Sequence, residues 1–262
     1  MLTRLVPVIG SRRARHIVER NFEVYRNQWL MLISGFFEPL FYLLSIGIGL
    51  NKLVGNLTVG GRVVSYAAFV APGMLATSMM NGAVIDTIMN VFFRLKITHS
   101  YESILATPLD VNDVALGEIG WATGRAAVYS GSFIVCMILL GDAPSWWVLL
   151  CWPAALLTGV AFAGVGLASC TFVRSWQDFD MLTLVQLPIF LFSATFFPIT
   201  LYPRWLGALV QISPLYQSAA LLRGLSLGQF SGVMVLRAGY LIVFGLVGLS
   251  VAARRFARIL TP

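Results

Sequence analysis

The sequence predicts an all-α integral membrane protein that forms a single domain over residues 1–262. Its predicted elements are six transmembrane helices, an N-terminal interfacial amphipathic helix, a short cytoplasmic helix and an external re-entrant helical hairpin. Hydrophobic residues make up 58% of the chain and charged residues only 11%, whereas soluble domains carry about 25% charged residues. Six apolar runs approach the length that crosses a bilayer, and the lysines and arginines collect at the ends of these runs.

The net charge of +7 does not indicate a nucleic-acid partner, because no basic patch with interleaved exposed aromatics accompanies it. Cations at the ends of apolar runs are instead typical of membrane orientation. The three cysteines, Cys136, Cys151 and Cys170, all lie inside apolar runs without a short Cys-x-x-Cys spacing. We therefore expect neither a disulfide framework nor a metal site.

Residues 11–28 are predicted to form the interfacial helix. One apolar stripe recurs at i, i+4, i+7 and i+11, formed by Val18, Phe22, Tyr25 and Trp29. The segment is otherwise basic, with Arg12, Arg13, Arg15, Arg20 and Arg26. A basic amphipathic helix lies in the membrane interface and contacts lipid head groups there. The alternative is a frayed, positively charged tail.

The predicted spans are the six apolar runs, compared with the roughly 20 residues that cross the hydrocarbon core. They cover residues 29–50, 64–92, 114–140, 146–173, 181–197 and 233–253. With an even number of spans both termini share a side, and a cytoplasmic N-terminus places twelve lysines and arginines inside against five outside. The positive-inside rule therefore predicts a multi-pass protein with cytoplasmic termini, and we expect it in the inner (plasma) membrane.

The polar segment 94–108 joins the second and third spans and is predicted to form a short amphipathic helix on the cytoplasmic surface. Four apolar residues recur at the spacing of one helical face, namely Ile97, Tyr101, Ile104 and Leu105. Three polar residues fall elsewhere on the wheel, namely Lys96, His99 and Glu102. Pro108, after Thr107, is expected to end the helix, because the residue before a proline avoids the α region. We predict that another protein pushes on this segment.

Residues 198–224 contain two apolar pieces that Ser213 and Pro214 separate. Each piece is too short to cross a membrane, which favours a re-entrant helical hairpin that enters from the outer face. The alternative is an ordinary external loop on the surface.

Ionisable residues inside predicted spans are functional candidates, because a charge within the bilayer is costly. Four such residues are present: Glu38, Asp86, Glu118 and Arg125. Glu118 and Arg125 are seven residues apart and share one helix face about 11 Å apart. An alternative for Glu118 is that it reaches the membrane interface. Aromatic residues of the first and fifth spans are candidates for a substrate path, namely Phe37, Phe41, Phe190 and Phe196, although such residues also commonly face lipid.

No catalytic constellation is present in the sequence. It lacks His-Glu-x-x-His, Gly-x-Ser-x-Gly and a phosphate-binding loop that ends in Gly-Lys-Ser/Thr. We therefore expect a chain without enzymatic activity that binds no cofactor of its own. A pump built on it would need a separate ATPase subunit.

The chain resembles the membrane subunits of type-2 ABC exporters, including the permeases of nodulation-factor export (NodJ-like) and of daunorubicin-type drug export. The resemblance covers nearly the whole chain and rests on an ordered set of motifs. These are Ile104-Leu105-Ala106-Thr107-Pro108-Leu109, Leu116-Gly117-Glu118, Phe196-Phe197-Pro198-Ile199, Leu201-Tyr202-Pro203-Arg204-Trp205, Ile212-Ser213-Pro214-Leu215 and Leu222-Arg223-Gly224.

This resemblance implies that 94–108 is the coupling helix, which docks on a partner ATPase. It also implies a working complex of two permease subunits, identical or different, with two ATPase subunits that hold ATP and Mg. We expect export of an amphipathic drug or lipid-like molecule from the cytoplasm or inner leaflet. The alternative cargo is a lipid-linked oligosaccharide or polysaccharide. The rival class is an ion-coupled secondary transporter with Glu38, Asp86 and Glu118 as a relay.

Overall fold

The computed structural model describes most of the chain, and most of the described residues are helical. The described residues are 17–23, 41–45, 49–59, 61–98, 100–106, 109, 111–173, 175 and 177–260. Residues 17–23 and 41–45 are helical and belong to the predicted interfacial helix and first span. Apart from residues 49–50 of the first span, the rest of those two predicted elements lies outside the described residues.

Nine further helices follow in the described part of the chain. They are α1 (Asn51–Val54), α2 (Tyr66–Phe92), α3 (Ser100–Leu105), α4 (Val111–Leu139), α5 (Cys151–Cys170), α6 (Gln177–Leu191), α7 (Arg204–Ile212), α8 (Pro214–Ser226) and α9 (Val233–Leu260). Helix α2 continues as a π-helical turn, Phe93–Ile97, and 3₁₀ turns occupy Trp146–Leu150 and Ile199–Leu201. We call the two ends of the molecule the Tyr66 end and the Ile97 end, after the limits of α2 and its π turn.

Four described helices are long and apolar enough to cross a membrane: Tyr66–Ile97, Asp113–Leu139, Trp146–Cys170 and Val233–Phe256. These correspond to the predicted second, third, fourth and sixth spans. The chain is thus an all-α membrane protein in outline, and the count of six spans stays a prediction.

The predicted fifth span overlaps α6, whose 15 residues are about 22 Å long, less than the roughly 30 Å of the hydrocarbon core. Three contacts nevertheless show that this segment runs antiparallel to α2. Phe179 meets Phe92 edge to face at a centroid distance of 5.2 Å, and Gln186 donates to Asn81 at 2.6 Å. Beyond the end of α6, Thr195 lies against Gly73. Residues 177–195 therefore extend from the Ile97 end nearly to the Tyr66 end.

A short β-hairpin at the Tyr66 end was not predicted from the sequence. Strand β1 (Asn56–Val59) pairs with β2 (Arg62–Ser65) in antiparallel register, with Val59 opposite Arg62. The sequence Gly60-Gly61 joins the strands, and Gly61 has φ +79°, as two-residue hairpin turns require. Arg62 donates to the Leu227 carbonyl at 2.9 Å, which attaches the hairpin to the end of α8.

Helix α5 lies at the centre of the bundle, and 13 of its residues are buried. Small residues allow its neighbours to approach closely. A Cβ on Gly164 would lie 2.8 Å from the Gly245 carbonyl oxygen of α9, and one on Gly166 would lie 3.2 Å from the Val84 Cα of α2. Gly164, Gly166 and Gly245 therefore serve helix packing within this chain.

Helices α7 and α8 occupy the segment predicted to form a re-entrant hairpin. Ser213 separates them, and Pro214 is the first residue of α8, a position where its missing N–H costs no helical hydrogen bond. Helix α8 is largely buried, whereas α7 buries only Gly207 and Val210. That the pair enters the membrane stays a prediction.

Candidate functional site

The first candidate site is an ionic cluster at the Ile97 end of the molecule. The π turn places Arg94 beside Glu118 in the second turn of α4, and the two side chains form a buried ion pair that is 13% and 4% exposed. The Tyr101 hydroxyl of α3 donates to the same carboxylate oxygen at 3.2 Å. One carboxylate therefore connects the end of α2, helix α3 and helix α4.

The π turn itself is part of this geometry. The Thr98 N–H bonds the Phe93 carbonyl at 2.9 Å, five residues back, which is the spacing of a π-helix. A single π turn re-aims the side chains that follow it and often marks a functional position. Here it ends the second span and begins the segment that contains α3.

Tyr101 lies in the interior, with only 1% of its surface exposed. Its ring meets Phe256 of α9 edge to face at 6.3 Å, and both rings belong to an apolar cluster that includes Ile17 and Leu95. Burial and then the Glu118 carboxylate raise the pKa of Tyr101 well above its usual value, while Arg94 acts in the opposite direction. The hydroxyl is therefore protonated at neutral pH and available as a donor.

Arg20, in helical residues 17–23, also lies near this ionic cluster. Burial lowers its pKa and the positive charge of Arg94 lowers it further, while Glu118 and Tyr101 raise it. Like charges resist close approach unless a carboxylate lies near both. Glu118 therefore stabilises two arginines that come from distant parts of the sequence.

These positions change the interpretation of segment 94–108. Ile97 and Tyr101 do not share an outward face, because Ile97 lies in the π turn and is 47% exposed while Tyr101 is buried. Ile104 is half-buried against the apolar cluster. Among the residues of this segment whose side chains are described, those exposed and so open to a partner are Lys96, Ile97, Thr98, Ser103 and Ala106.

Other predicted site residues cannot be placed in this cluster. Glu38, Phe37, His99, Thr107 and Pro108 lie outside the described residues, and so do the side chains of Asp86, Glu102 and Leu105. Among the described residues, no three His, Cys, Asp or Glu side chains converge as metal ligands would.

Arg125 is buried in α4 and lines two adjoining cavities. The larger is a groove of about 710 Å³ between residues 17–23 and α4. Its lining is Val18, Glu19, Phe22, Glu23, Gly120, Trp121, Gly124, Arg125 and Val128. The smaller is a narrow cleft of about 10 Å³ between α2 and α4 that also contains Ser78.

Ser78 in turn lines a third cavity of about 40 Å³ deeper in the bundle. Its lining mixes polar and aromatic side chains: Tyr42, Met74, Thr77, Ser78, Asn81, Phe133 and Phe190. Phe190, a predicted path residue, meets Phe196 edge to face at 5.4 Å. Phe41, another predicted path residue, is 62% exposed and precedes the cavity residue Tyr42.

Sequence reasoning missed Asn81 and Gln186, whose amides bond across α2 and α6 at 2.6 Å. Both are uncharged polar residues within predicted spans. Such residues commonly form hydrogen bonds between membrane helices, so a search for amides as well as charges would have found them.

Together the three cavities form a row from the groove at residues 17–23 to the interior between α2, α4 and α6.

Comparison with known proteins agrees with this architecture. Residues 13–227 match the ABC-2 type transporter family. The chain is 35% identical over 221 residues to Nodulation protein J of Rhizobium leguminosarum bv. trifolii, covering 84% of this chain and 83% of that protein. Nodulation protein J of Rhizobium meliloti (strain 1021) is 32% identical over 93% of this chain and 92% of its own length.

A more distant relative is the inner membrane transport permease YadH of Escherichia coli (strain K12), which is 26% identical over 73% of this chain and 77% of its own length. The family match covers the described spans α2, α4 and α5, the ionic cluster formed by Arg94, Tyr101 and Glu118, and the row of cavities. The chain belongs to the ABC-2 type transporter family, and this membership implies an ATPase partner.

Proposed function

We propose that the chain is the permease subunit of an ATP-driven exporter that moves an amphipathic small molecule, drug-like or lipid-like, out of the cytoplasm or inner leaflet. Two copies of a separate ATPase supply the energy, and a second permease completes the complex. The observation that carries this proposal is the Arg94–Glu118–Tyr101 cluster. It connects the segment expected to dock on the ATPase with two helices that line the cavities.

In this mechanism the ATPase contacts the exposed residues around Ile97 and Ser103. Movement of α3 is transmitted through Tyr101 to Glu118, and so to α2 and α4. A partner shifts such an equilibrium only by its different affinity for the two states. The ATPase must therefore bind this segment differently when its two subunits close on ATP.

The cavities support an amphipathic cargo. The groove at residues 17–23 combines apolar Val18, Phe22 and Trp121 with ionisable Glu19 and Arg125. The deeper cavity continues this mixture with Asn81 and Phe190. A molecule with one apolar and one polar part would find partners for both along this row.

The exposed face of α6 is the proposed contact for the second permease. It carries Met181, Leu184, Val185 and Leu187, each more than half exposed. In such a dimer the cavity beside Phe190 would lie close to the subunit interface. Opening of that interface would extend the cavity into a passage.

The second candidate cargo is a lipid-linked oligosaccharide. Aromatic rings and side-chain amides are the groups that commonly contact sugars, and Tyr42, Phe190 and Asn81 supply both at one cavity. An ion-coupled transporter is a weaker candidate, because Glu118 is engaged by Arg94 and Tyr101 and so is poorly suited to release and rebind a proton.

The test is a comparison of Ile97→Asp with Val63→Asp in the purified complex. Both residues are exposed and apolar, at 47% and 68%, and they lie at opposite ends of α2. We expect I97D to lose the copurifying ATPase subunit and cargo-stimulated ATP hydrolysis, while V63D keeps both. An I97D complex with full ATPase content and stimulation would contradict the proposed docking segment.

A further inference from the structure

A separate cavity of about 410 Å³ lies at the Tyr66 end, between β1, the end of α8 and the start of α9. Its lining is Val59, Ala220, Arg223, Gly224, Gln229, Phe230, Ser231, Met234 and Arg237. Among the described lining residues, two are arginines and none carries a carboxylate. We call it the arginine pocket.

Arg223 is held firmly in place at the base of the arginine pocket and is only 9% exposed. Its Nε donates to the Phe69 carbonyl at 3.0 Å, and its Nη2 donates to the carbonyls of Ala194 and Thr195 at 3.1 and 3.3 Å. The guanidinium carbon also lies 3.9 Å from the centre of the Phe69 ring. These contacts occupy Nε and Nη2, and Nη1 has no hydrogen-bond partner within the described residues.

Arg237 lies one turn into α9 and is half-buried. Its Nη1 donates to the Ala220 carbonyl at 3.2 Å, which leaves most of its donors for another ligand. Burial lowers the pKa of Arg223 to about 10, Tyr216 opposes this shift, and the positive charge of Arg237 adds to it. Arg223 is therefore charged at neutral pH, and in the described part of the chain neither arginine forms an ion pair with a carboxylate.

The surface beside the arginine pocket is strongly apolar. Phe230 and Val233 are about half exposed, and Val235 and Leu236 are 75% and 73% exposed. In a membrane protein such residues face lipid chains, and arginines near the end of a spanning helix contact groups in the membrane interface. Two paired cations beside a lipid-facing surface match a phosphate that is attached to acyl chains, since guanidinium groups bind phosphate through several N–H donors.

We propose that the arginine pocket binds the phosphate-bearing head group of an anionic membrane lipid in the leaflet at the Tyr66 end. Arg237 and the Nη1 group of Arg223 donate to the phosphate, and Ser231 supplies a further hydroxyl donor. The acyl chains lie along Val233 and Leu236. Because Arg223 also holds the carbonyls of 194 and 195, a bound lipid would stabilise the segment after α6. This proposal does not depend on the cargo or direction of transport.

The experiment measures lipid binding to the detergent-purified full-length chain by native mass spectrometry. The probes are phosphatidylglycerol, phosphatidylcholine with the same chains, and inorganic phosphate. The variants are Arg237→Gln, which keeps a donor to Ala220 but removes the charge, and Arg204→Gln as the matched control. Arg204 is exposed at the start of α7 and lies outside the arginine pocket.

We expect the native chain and R204Q to prefer phosphatidylglycerol over phosphatidylcholine, and R237Q to bind phosphatidylglycerol about tenfold more weakly, as the loss of one charge-assisted hydrogen bond predicts. Equal binding by R237Q and the native chain would overturn the proposal. An equal loss in R204Q would overturn it as well, because that result indicates unspecific attraction. Binding of inorganic phosphate that depends on Arg237, without a preference for phosphatidylglycerol, would refute the lipid as the ligand.

Discussion

The buried position of Tyr101 changes which substitution is a useful test of its role. A surface tyrosine on a docking helix would be replaced by aspartate to block a partner. In the structure Tyr101 is buried, donates to Glu118 at 3.2 Å and packs on Phe256. An aspartate here would place a second carboxylate beside Glu118 in the interior, where unpaired charges are strongly unfavourable.

We therefore expect Tyr101→Phe and Tyr101→Asp to differ mainly in stability. Tyr101→Phe loses one hydrogen bond and keeps the ring, which should lower the free energy of unfolding by about 1 kcal/mol. Tyr101→Asp should cost several times more and yield little folded protein. Thermal melting of the detergent-purified variants measures both, and equal melting temperatures would contradict the buried position of Tyr101.

At the scale of elements, the contact between α5 and α9 is set by glycines rather than by large side chains. A Cβ on Gly248 would lie 2.7 Å from the Val165 backbone nitrogen and 2.8 Å from the Gly164 carbonyl carbon. Neither neighbour is the end of a flexible side chain, so only a shift of one helix could make room. Gly239 lies on the same helix, and a Cβ there would meet nothing within 4 Å.

This contrast gives a matched pair of substitutions. We expect Gly248→Ala to lower the free energy of unfolding by about 1–3 kcal/mol, as overpacking of a tight interface does. Gly239→Ala should leave stability unchanged or raise it by up to about 1 kcal/mol, because alanine favours the helical state more than glycine does. Thermal melting would measure the difference, and a more stable G248A variant would show that α5 and α9 are less closely packed than described.

The sequence predicted several elements because the responsible residues are local. Long apolar runs indicate four of the helices, and Ser213-Pro214 indicates the break between α7 and α8. The sequence did not predict the Arg94–Glu118 pair, because these residues are 24 positions apart and Arg94 lies in a π turn that the local pattern did not indicate. The Asn81–Gln186 bond joins residues 105 positions apart and depends on how α2 and α6 pack, which no local pattern encodes.

At the scale of the whole molecule, contacts at both ends determine which segments share a side. Tyr101 meets Phe256 at the Ile97 end, so α3 and the last turns of α9 lie together. Arg62 and Arg223 connect the β-hairpin, the start of α2 and the end of α8 at the Tyr66 end. Combined with the basic residues after Ala253, this arrangement predicts that the Ile97 end is cytoplasmic.

Cysteine labelling in intact cells tests this orientation directly. The labelled variants are Leu53→Cys, Ser103→Cys and Arg258→Cys. Leu53 lies at the Tyr66 end and is 87% exposed, whereas Ser103 and Arg258 are exposed residues at the Ile97 end. The native cysteines at 136, 151 and 170 are all buried and should give little background. We expect a membrane-impermeant maleimide to label L53C in intact cells, and to label S103C and R258C only after permeabilisation. Labelling of S103C in intact cells would reverse the orientation, and opposite behaviour of S103C and R258C would contradict the contact between Tyr101 and Phe256.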